Sequence, residues 1–272
     1  NTGTFRRALE YASMFNTPII EHAEDVSLSA GGSMHEGLYS TRLGIPPIPD
    51  ISESVAVARN IQIAEFTQTQ LHIAHVSTAK SVRLIREAKA RGVKVTAETC
   101  PHYLVLTDEA VQSFDPNFKM NPPLRSKADQ EALIEALTDG TLDVIATDHA
   151  PHTIDDKDCE FDLAAFGIVG LETAVGIMLT HFVHKNKLTL EQIIEKMAVN
   201  PRKILHLPVP SIKEGETANL TILDQEALWH VDKTAFLSKG KNTPFDGWPL
   251  QGRSVGVIRY QKIYVDKDAF TG

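Results

Sequence analysis

The sequence lacks any apolar run long enough to span a bilayer, and no signal peptide opens it. Neither a helical membrane protein nor a secreted one is expected. Cysteine is scarce: two in 272 residues, Cys100 at the end of an apolar run and Cys159 in a charged loop. Two thiols in such unlike settings exclude a disulfide framework and point to a reducing cytoplasm. Basic charge is short as well. Lys and Arg number 27 against 35 Asp and Glu, giving a net charge of −8, and no basic stripe interleaved with aromatics occurs. Nucleic acid is therefore not the expected partner. There is no internal repeat, no low-complexity segment and no His-x-His pair. No initiator methionine and no strand precede the first helical pattern (Phe5, Leu9, Ala12, Met14), so the numbering is expected to begin inside a larger protein.

What is present is ordinary in bulk, with 42% hydrophobic and 23% charged residues. The length suits one large α/β domain, or a domain with a small appendage. Four strand-then-helix units follow one another. The strands are Pro18–His22, Leu71–Val76, Val93–Thr99 and Asp143–Thr147. Between them lie helical patterns over Ser52–Thr67 (Val55, Ala58, Ile61, Ala64), Ser81–Arg91 (Val82, Ile85, Ala88, stopped by Gly92) and Asp129–Leu137. Alternation at this spacing predicts a parallel sheet, apolar on both faces and so covered. Beyond Thr153 the texture changes to a polar loop (Ile154 to Glu160), then two helices over Leu171–Val183 and Thr189–Val199. Short strands over Ala218–Leu223 and Ser254–Val265 follow.

Polar groups gather where the strands stop: Glu21-His22-Ala23-Glu24-Asp25, His75-Val76-Ser77-Thr78, and Asp148-His149-Ala150-Pro151-His152. In a (β/α) barrel those ends converge on the catalytic face. Two neutral imidazoles and a carboxylate there suit a divalent metal such as zinc. A water bound to such a metal has its pKa lowered to roughly 7, and Asp148 is placed to bind the metal and move a proton. His72 and His75 lie three positions apart on one strand and point to opposite faces. His75 is accordingly the candidate ligand and His72 the structural residue. Glu24 and Asp25 read as caps of the next helix, and His102 as a packed residue. His181, His184, His206 and His230 read as surface residues.

These motifs resemble dihydroorotase of the bacterial type I class. The resemblance is carried by His22-Ala23-Glu24-Asp25, Arg42-Leu43-Gly44-Ile45-Pro46, His72-Ile73-Ala74-His75-Val76-Ser77-Thr78 and Lys119-Met120-Asn121-Pro122-Pro123-Leu124-Arg125. It continues through Ala146-Thr147-Asp148-His149-Ala150-Pro151-His152, Phe166-Gly167-Ile168-Val169-Gly170 and Lys239-Gly240-Lys241-Asn242-Thr243-Pro244-Phe245. It implies an amidohydrolase (β/α)8 TIM barrel with a small β-sandwich. This chain would supply the C-terminal half of the barrel (strands five to eight) over 1–205 and part of the sandwich over 206–272.

The implied reaction is zinc-dependent, reversible hydrolysis of dihydroorotate to N-carbamoyl-aspartate in pyrimidine synthesis. His22 and His75 would hold one zinc and Asp148 another, with one or two ions in the complete site. A metal-bound hydroxide would attack the ring amide while Asp148 shuttles the proton. Asn121, His152 and the main chain at Phe166-Gly167 would contact the substrate. The family's first-strand His-x-His-x-Arg motif, the Asn after it and the fourth-strand carboxylate have no counterpart here and are expected upstream. A homodimer or a complex with aspartate transcarbamoylase is the implied assembly. Allantoinase or hydantoinase activity stays open, since Glu98-Thr99-Cys100-Pro101-His102-Tyr103 suits an allantoinase, and so does a non-catalytic scaffold.

Overall fold

The structure is a computed structural model and describes residues 1–265. The final residues, 266–272, of the expected sandwich segment lie outside that range. Two compact units divide the chain: Asn1–Gly170 with Ser238–Pro244, and Leu171–Leu237 with Phe245–Gly272.

The first unit opens with helix α1 (Thr2–Ser13), whose leading N–H of Thr4 is capped by the Asn1 side chain at 3.0 Å. Four parallel strands follow: β1 (Ile19–Glu21), β2 (Leu71–Ile73), β3 (Val95–Thr99) and β4 (Val144–Ile145). They lie side by side in chain order, each paired in parallel with the next. All four were expected from short apolar runs bounded by turn signals. The ladders of β1, β2 and β4 stop short of the expected carboxyl ends, whereas β3 keeps Thr99 and begins two residues late.

Helices α2 (Ile51–Thr67), α3 (Ala79–Ala90) and α4 (Lys127–Thr138) connect the strands. Helix α3 buries Val82, Ile85 and Ala88, the stripe its sequence shows. Helix α2 departs from expectation. Val55 is exposed, and the buried stripe is Ala56, Val57, Asn60, Ile61 and Ala64. The face is rotated by about one position because Glu53 is drawn inward to the loop after β2, so the rows one and two turns on from Glu53 face the core with it. Leu71, Ile73, Ile85, Leu133 and Leu137 are at most 1% exposed. Each contributes about 2 kcal/mol by leaving water. A separate parallel pair, Met34–His35 with Pro47–Ile48, was not expected. Two residues per strand are too few to show a period.

The second unit holds a three-stranded antiparallel sheet. Its strands are β5 (Asn219–His230), β6 (Pro249–Arg259) and β7 (Lys262–Val265), in that order. The first was read as a strand half this long, and the expected Ser254–Val265 run is two strands folded at Tyr260. Interruptions in register between Ile222 and Leu223, and between Asp224 and Leu228, explain the short reading, because bulges break the alternation. Both expected helices exist, but each changes from α to π geometry partway, at Leu179–Val183 and Glu195–Val199. The wider turn alters which face is covered. His181 and His184, expected at the surface, are half-buried instead: His184 Nε2 lies 2.9 Å from the Gln225 carbonyl and His181 packs edge-on against Trp248. His206 and His230 are exposed as expected.

Candidate active site at the strand ends

Strand β1 stops at Glu21, and the next residue, His22, projects beyond the sheet. Its Nε2 lies 3.0 Å from a carboxylate oxygen of Glu24. A carboxylate only accepts, so Nε2 carries the hydrogen and Nδ1 keeps its lone pair. That Nδ1 is 2.9 Å from His75 Nε2, at the end of β2. Of Glu24 and Asp25, both expected to cap the next helix, only Asp25 is its N-cap. Asp25 accepts from Ser27 N–H and caps Val26–Ser29, whereas Glu24 turns back to His22. Asn121 Nδ2 approaches the same Glu24 oxygen at 3.4 Å. His22, Glu24, Glu53, Asn121 and Arg125 all line one small cleft.

His75 is held by backbone as well as by packing. Its φ of 35° is left-handed, a conformation that costs a non-glycine residue about 1 kcal/mol or more and gathers at functional sites. The residues after it are pinned by Glu53, reaching in from the first turn of α2. Glu53 accepts from the N–H and hydroxyl of Ser77 and from the N–H and hydroxyl of Thr78, the latter two at 3.1 and 2.9 Å. Arg125 Nε donates to the Ser77 hydroxyl at 3.1 Å, and its Nη1 reaches the Ile48 carbonyl and His35 Nδ1. Glu53 and Arg125 are each 3% exposed. Neither was foreseen, although a Glu in a helix's first turn and an Arg closing Met120-Asn121-Pro122-Pro123-Leu124-Arg125 are visible signals. His72 takes the structural role expected of it, with Nδ1 at 2.8 Å from the Thr96 hydroxyl and Nε2 at 3.1 Å from Glu98. His102 is buried, and burial pushes its imidazole down to about 3, so it stays neutral.

Asp148 follows β4 and is also left-handed, with φ 44°. Burial pushes its carboxyl up, opposed by the charges of His75 and His22. Burial pushes the His75 imidazole down, opposed by Asp148. Both groups thus resist charge in the bare protein. A divalent cation between them would reverse the balance for the carboxylate. Past Asp148 the chain runs beside residues 167–169. Ala150 N–H donates to the Ile168 carbonyl at 3.0 Å, and His149 Nδ1 accepts from Gly170 N–H at 3.1 Å. His152 Nε2 lies 2.8 Å from the Phe166 carbonyl. It is therefore the protonated nitrogen, and Nδ1 is left as acceptor in the neutral ring.

Gly167 has φ 147°, and a Cβ there would lie 2.7 Å from Ala150 Cβ and 2.9 Å from His152 Nε2. Only glycine permits this approach. Its N–H donates to the Lys119 carbonyl at 2.9 Å, two residues before Asn121. The polar loop read over Ile154 to Glu160 is mostly exposed but anchored at Lys157, which is buried, as are Phe161 and Ala164 just beyond it.

The residues fit a metal in part. Two imidazoles converge, one with its outer nitrogen fixed by a carboxylate, the arrangement that orients metal-bound histidines. Buried His75 Nδ1 has no hydrogen-bond partner among the described residues. Among those residues no three His, Cys, Asp or Glu side chains come together into a metal-holding group. The chain offers His22 and His75 as a pair, with Asp148 beyond them, and a four-coordinate ion needs more.

Parallel strand-helix units with imidazoles and a carboxylate at the strands' carboxyl ends are the arrangement of the functional face of a β/α barrel. Residues 3–259 match the amidohydrolase family, and the chain belongs to it. Members of that family fold as TIM barrels and are generally metal-dependent. The chain is 52% identical over 268 residues to a dihydroorotase from Syntrophus aciditrophicus, covering 98% of this chain and 63% of that protein. It is 56% identical over 252 residues to a dihydroorotase from Pelotomaculum thermopropionicum, covering 93% and 59%. The L-hydantoinase (dihydropyrimidinase) of Arthrobacter aurescens superposes with a TM-score of 0.88 at 28% identity, over 98% of this chain and 61% of that one. The chain thus spans about three fifths of the length of the relatives it matches. Among the described residues, no helix is long and apolar enough to cross a membrane.

Proposed function

We propose that the full-length protein is a zinc-dependent dihydroorotase, interconverting (S)-dihydroorotate and N-carbamoyl-L-aspartate in pyrimidine synthesis. The observation that carries this reading is the meeting of His22 Nδ1 and His75 Nε2 at 2.9 Å. Asp148 follows the strand end of the same sheet. Relatives named dihydroorotase at 52 and 56% identity support it. In this reading His22 and His75 hold one zinc and Asp148 reaches a second, whose remaining ligands come from residues outside this chain. When bound, the metal supplies Lewis acidity that activates water at neutral pH and polarises the scissile carbonyl.

The chain's own residues do the rest. Asp148 accepts the proton from the attacking water and delivers it to the ring nitrogen as the C–N bond breaks. The water's oxygen and one of its protons go to the new carboxyl group and the ureido nitrogen respectively, and its second proton leaves to solvent as the carboxyl ionises. Asn121, His152 and the main chain at Phe166–Gly167 orient the ring, an amide, an imidazole and carbonyl groups suiting an imide that bears a carboxylate. Both cysteines are free thiols, which supports a reducing compartment. The assembly is a homodimer or a complex with aspartate transcarbamoylase, which light scattering distinguishes.

The test is steady-state turnover by the zinc-loaded full-length protein on dihydroorotate, allantoin and hydantoin. Dihydroorotate turnover that is lost on chelation and restored by zinc is expected. Absence of that turnover sinks the reading. Hydantoin opening would favour the second reading, a hydantoinase, which the 0.88 superposition on the L-hydantoinase supports. A metal-free, inactive protein would favour a scaffold.

A further inference from the structure

The motif Lys239-Gly240-Lys241-Asn242-Thr243-Pro244 returns to the first unit from far along the chain, and its central side chain is spent entirely on main chain. Asn242 is 5% exposed. Its Oδ1 accepts from His152 N–H at 3.0 Å, and its Nδ2 donates to the Ala150 carbonyl at 2.9 Å and the Gly167 carbonyl at 3.1 Å. Its own carbonyl accepts from Val169 N–H at 3.0 Å. One residue thereby fixes the separation of the segments 150–152 and 167–169. Gly240 lets it come so near: a Cβ there would lie 2.7 Å from Pro151 Cβ.

From the other edge, Lys157 does the same with an ammonium. It is 8% exposed, and its Nζ donates to the carbonyls of Pro116, Lys119 and Ala165 at 2.9, 3.3 and 2.7 Å. No carboxylate takes part. The Lys119 carbonyl also accepts from Gly167 N–H.

The geometry points to Asn242, seconded by Lys157, as a positioning residue that sets substrate recognition: it holds the His152 imidazole against the Phe166–Gly167 backbone at the spacing a flat cyclic amide bearing a carboxylate requires. This rests on the function proposed above. Both side chains bond main-chain groups and neither bonds His22, His75 or Asp148. His22 and His75 hang on other strands and on Glu24 and Glu53, so disturbing the wall should spare the metal and cost recognition.

The experiment uses zinc-loaded full-length protein. Asn242→Asp keeps the shape and the Oδ1 acceptor but sets an oxygen against two carbonyls. Lys157→Met keeps the bulk and removes the ammonium. KM, kcat, bound zinc and Tm are measured for both and for wild type. We expect KM for dihydroorotate to rise roughly tenfold to a hundredfold, with kcat changed much less and bound zinc unchanged. KM within twofold of wild type in a folded variant overturns the proposal. Zinc lost in step with activity overturns it too, by moving the effect to the ligands. If both variants lose the fold under conditions where wild type is stable, the role is structural and the proposal falls. Wild type that opens hydantoin but not dihydroorotate defeats the dihydroorotase reading alone, and the same KM split is then read on hydantoin. Wild type inert on every cyclic amide defeats both.

Discussion

The strand ends and the wall opposite them solve one problem by different means. At the ends of β1, β2 and β4, the proposed chemistry rests on side chains (His22, His75, Asp148) whose places follow from where a strand stops. In the wall formed by 150–152, 165–169 and 116–121, contacts run main chain to main chain or from buried side chains onto carbonyls, as with Gly167 to Lys119, Lys157 to Ala165 and Asn242 to Gly167. The first device tolerates change in everything except the functional group. The second tolerates change in almost nothing, because in the proposed site backbone position is the recognition element.

The comparison breaks most visibly at Asp148. If strand-end side chains carry the chemistry, Asp148→Asn should lower kcat by about 10² to 10⁴-fold, the span of a lost acid–base group, with Tm nearly unchanged. Rate constants from zinc-loaded full-length enzyme check this, and retained kcat would remove Asp148 from proton transfer. At the wall, Gly167→Ala should act the other way round. Its Cβ would press on Ala150 Cβ at 2.7 Å and His152 Nε2 at 2.9 Å. A misplacement near 1 Å there costs on the order of a hundredfold, expected chiefly in KM, with zinc content kept. A larger loss in kcat than in KM would erase the distinction between the two regions.

That distinction also governs what could be read from the sequence. Strands, connecting helices and strand-end imidazoles are local patterns, and the chain displays them openly. Lys157 illustrates the opposite case. Set among Asp155, Asp156 and Asp158, it reads as part of a solvated loop, yet it is buried by carbonyls from around residues 116–119, some 40 positions away. Asn242 is bound to residues about 90 positions off. No window on the sequence contains both partners. Glu24 was within reach, since His22-x-Glu24 places a carboxylate near a candidate ligand histidine, but a helix-capping acid is the commoner use of that position. The one-position rotation of α2 was not legible, because only the partner loop at Ser77–Thr78 decides that Glu53 turns inward.

Beneath His75, the network through Ser77, Arg125 and His35 gives a pH test of rigidity. Burial first, and then the Arg125 charge, hold the His35 imidazole down at about 4, against 6.5 when free. Its Nδ1 faces Arg125 Nη1 at 3.2 Å, so the neutral ring accepts from the guanidinium and a protonated one has nothing to offer it. A depressed folded pKa means the unfolded chain binds a proton that the folded chain refuses. The contribution is whole above pH 6.5 and is lost as pH falls toward 4. It amounts to about 3 kcal/mol. Urea midpoints between pH 7 and 4 should therefore fall less steeply in His35→Asn than in wild type. Parallel slopes would mean His35 takes no part in the acid loss.

Glu24→Gln is the smallest change and the most pointed. Glu24 sets the His22 tautomer from 3.0 Å, leaving the Nδ1 lone pair toward His75. An amide can still accept from Nε2 through its carbonyl, so the imidazole keeps its direction and loses only the electrostatic support of the charge. Support of this kind behind metal-binding histidines is worth about ten- to hundredfold in affinity. Glu24 is partly open to solvent and shares its oxygen with Asn121, which places the expected loss near tenfold. Competition for zinc against a chelator measures it without reference to turnover. Unchanged affinity, with KM raised instead, would assign Glu24 to Asn121 and the substrate rather than to His22.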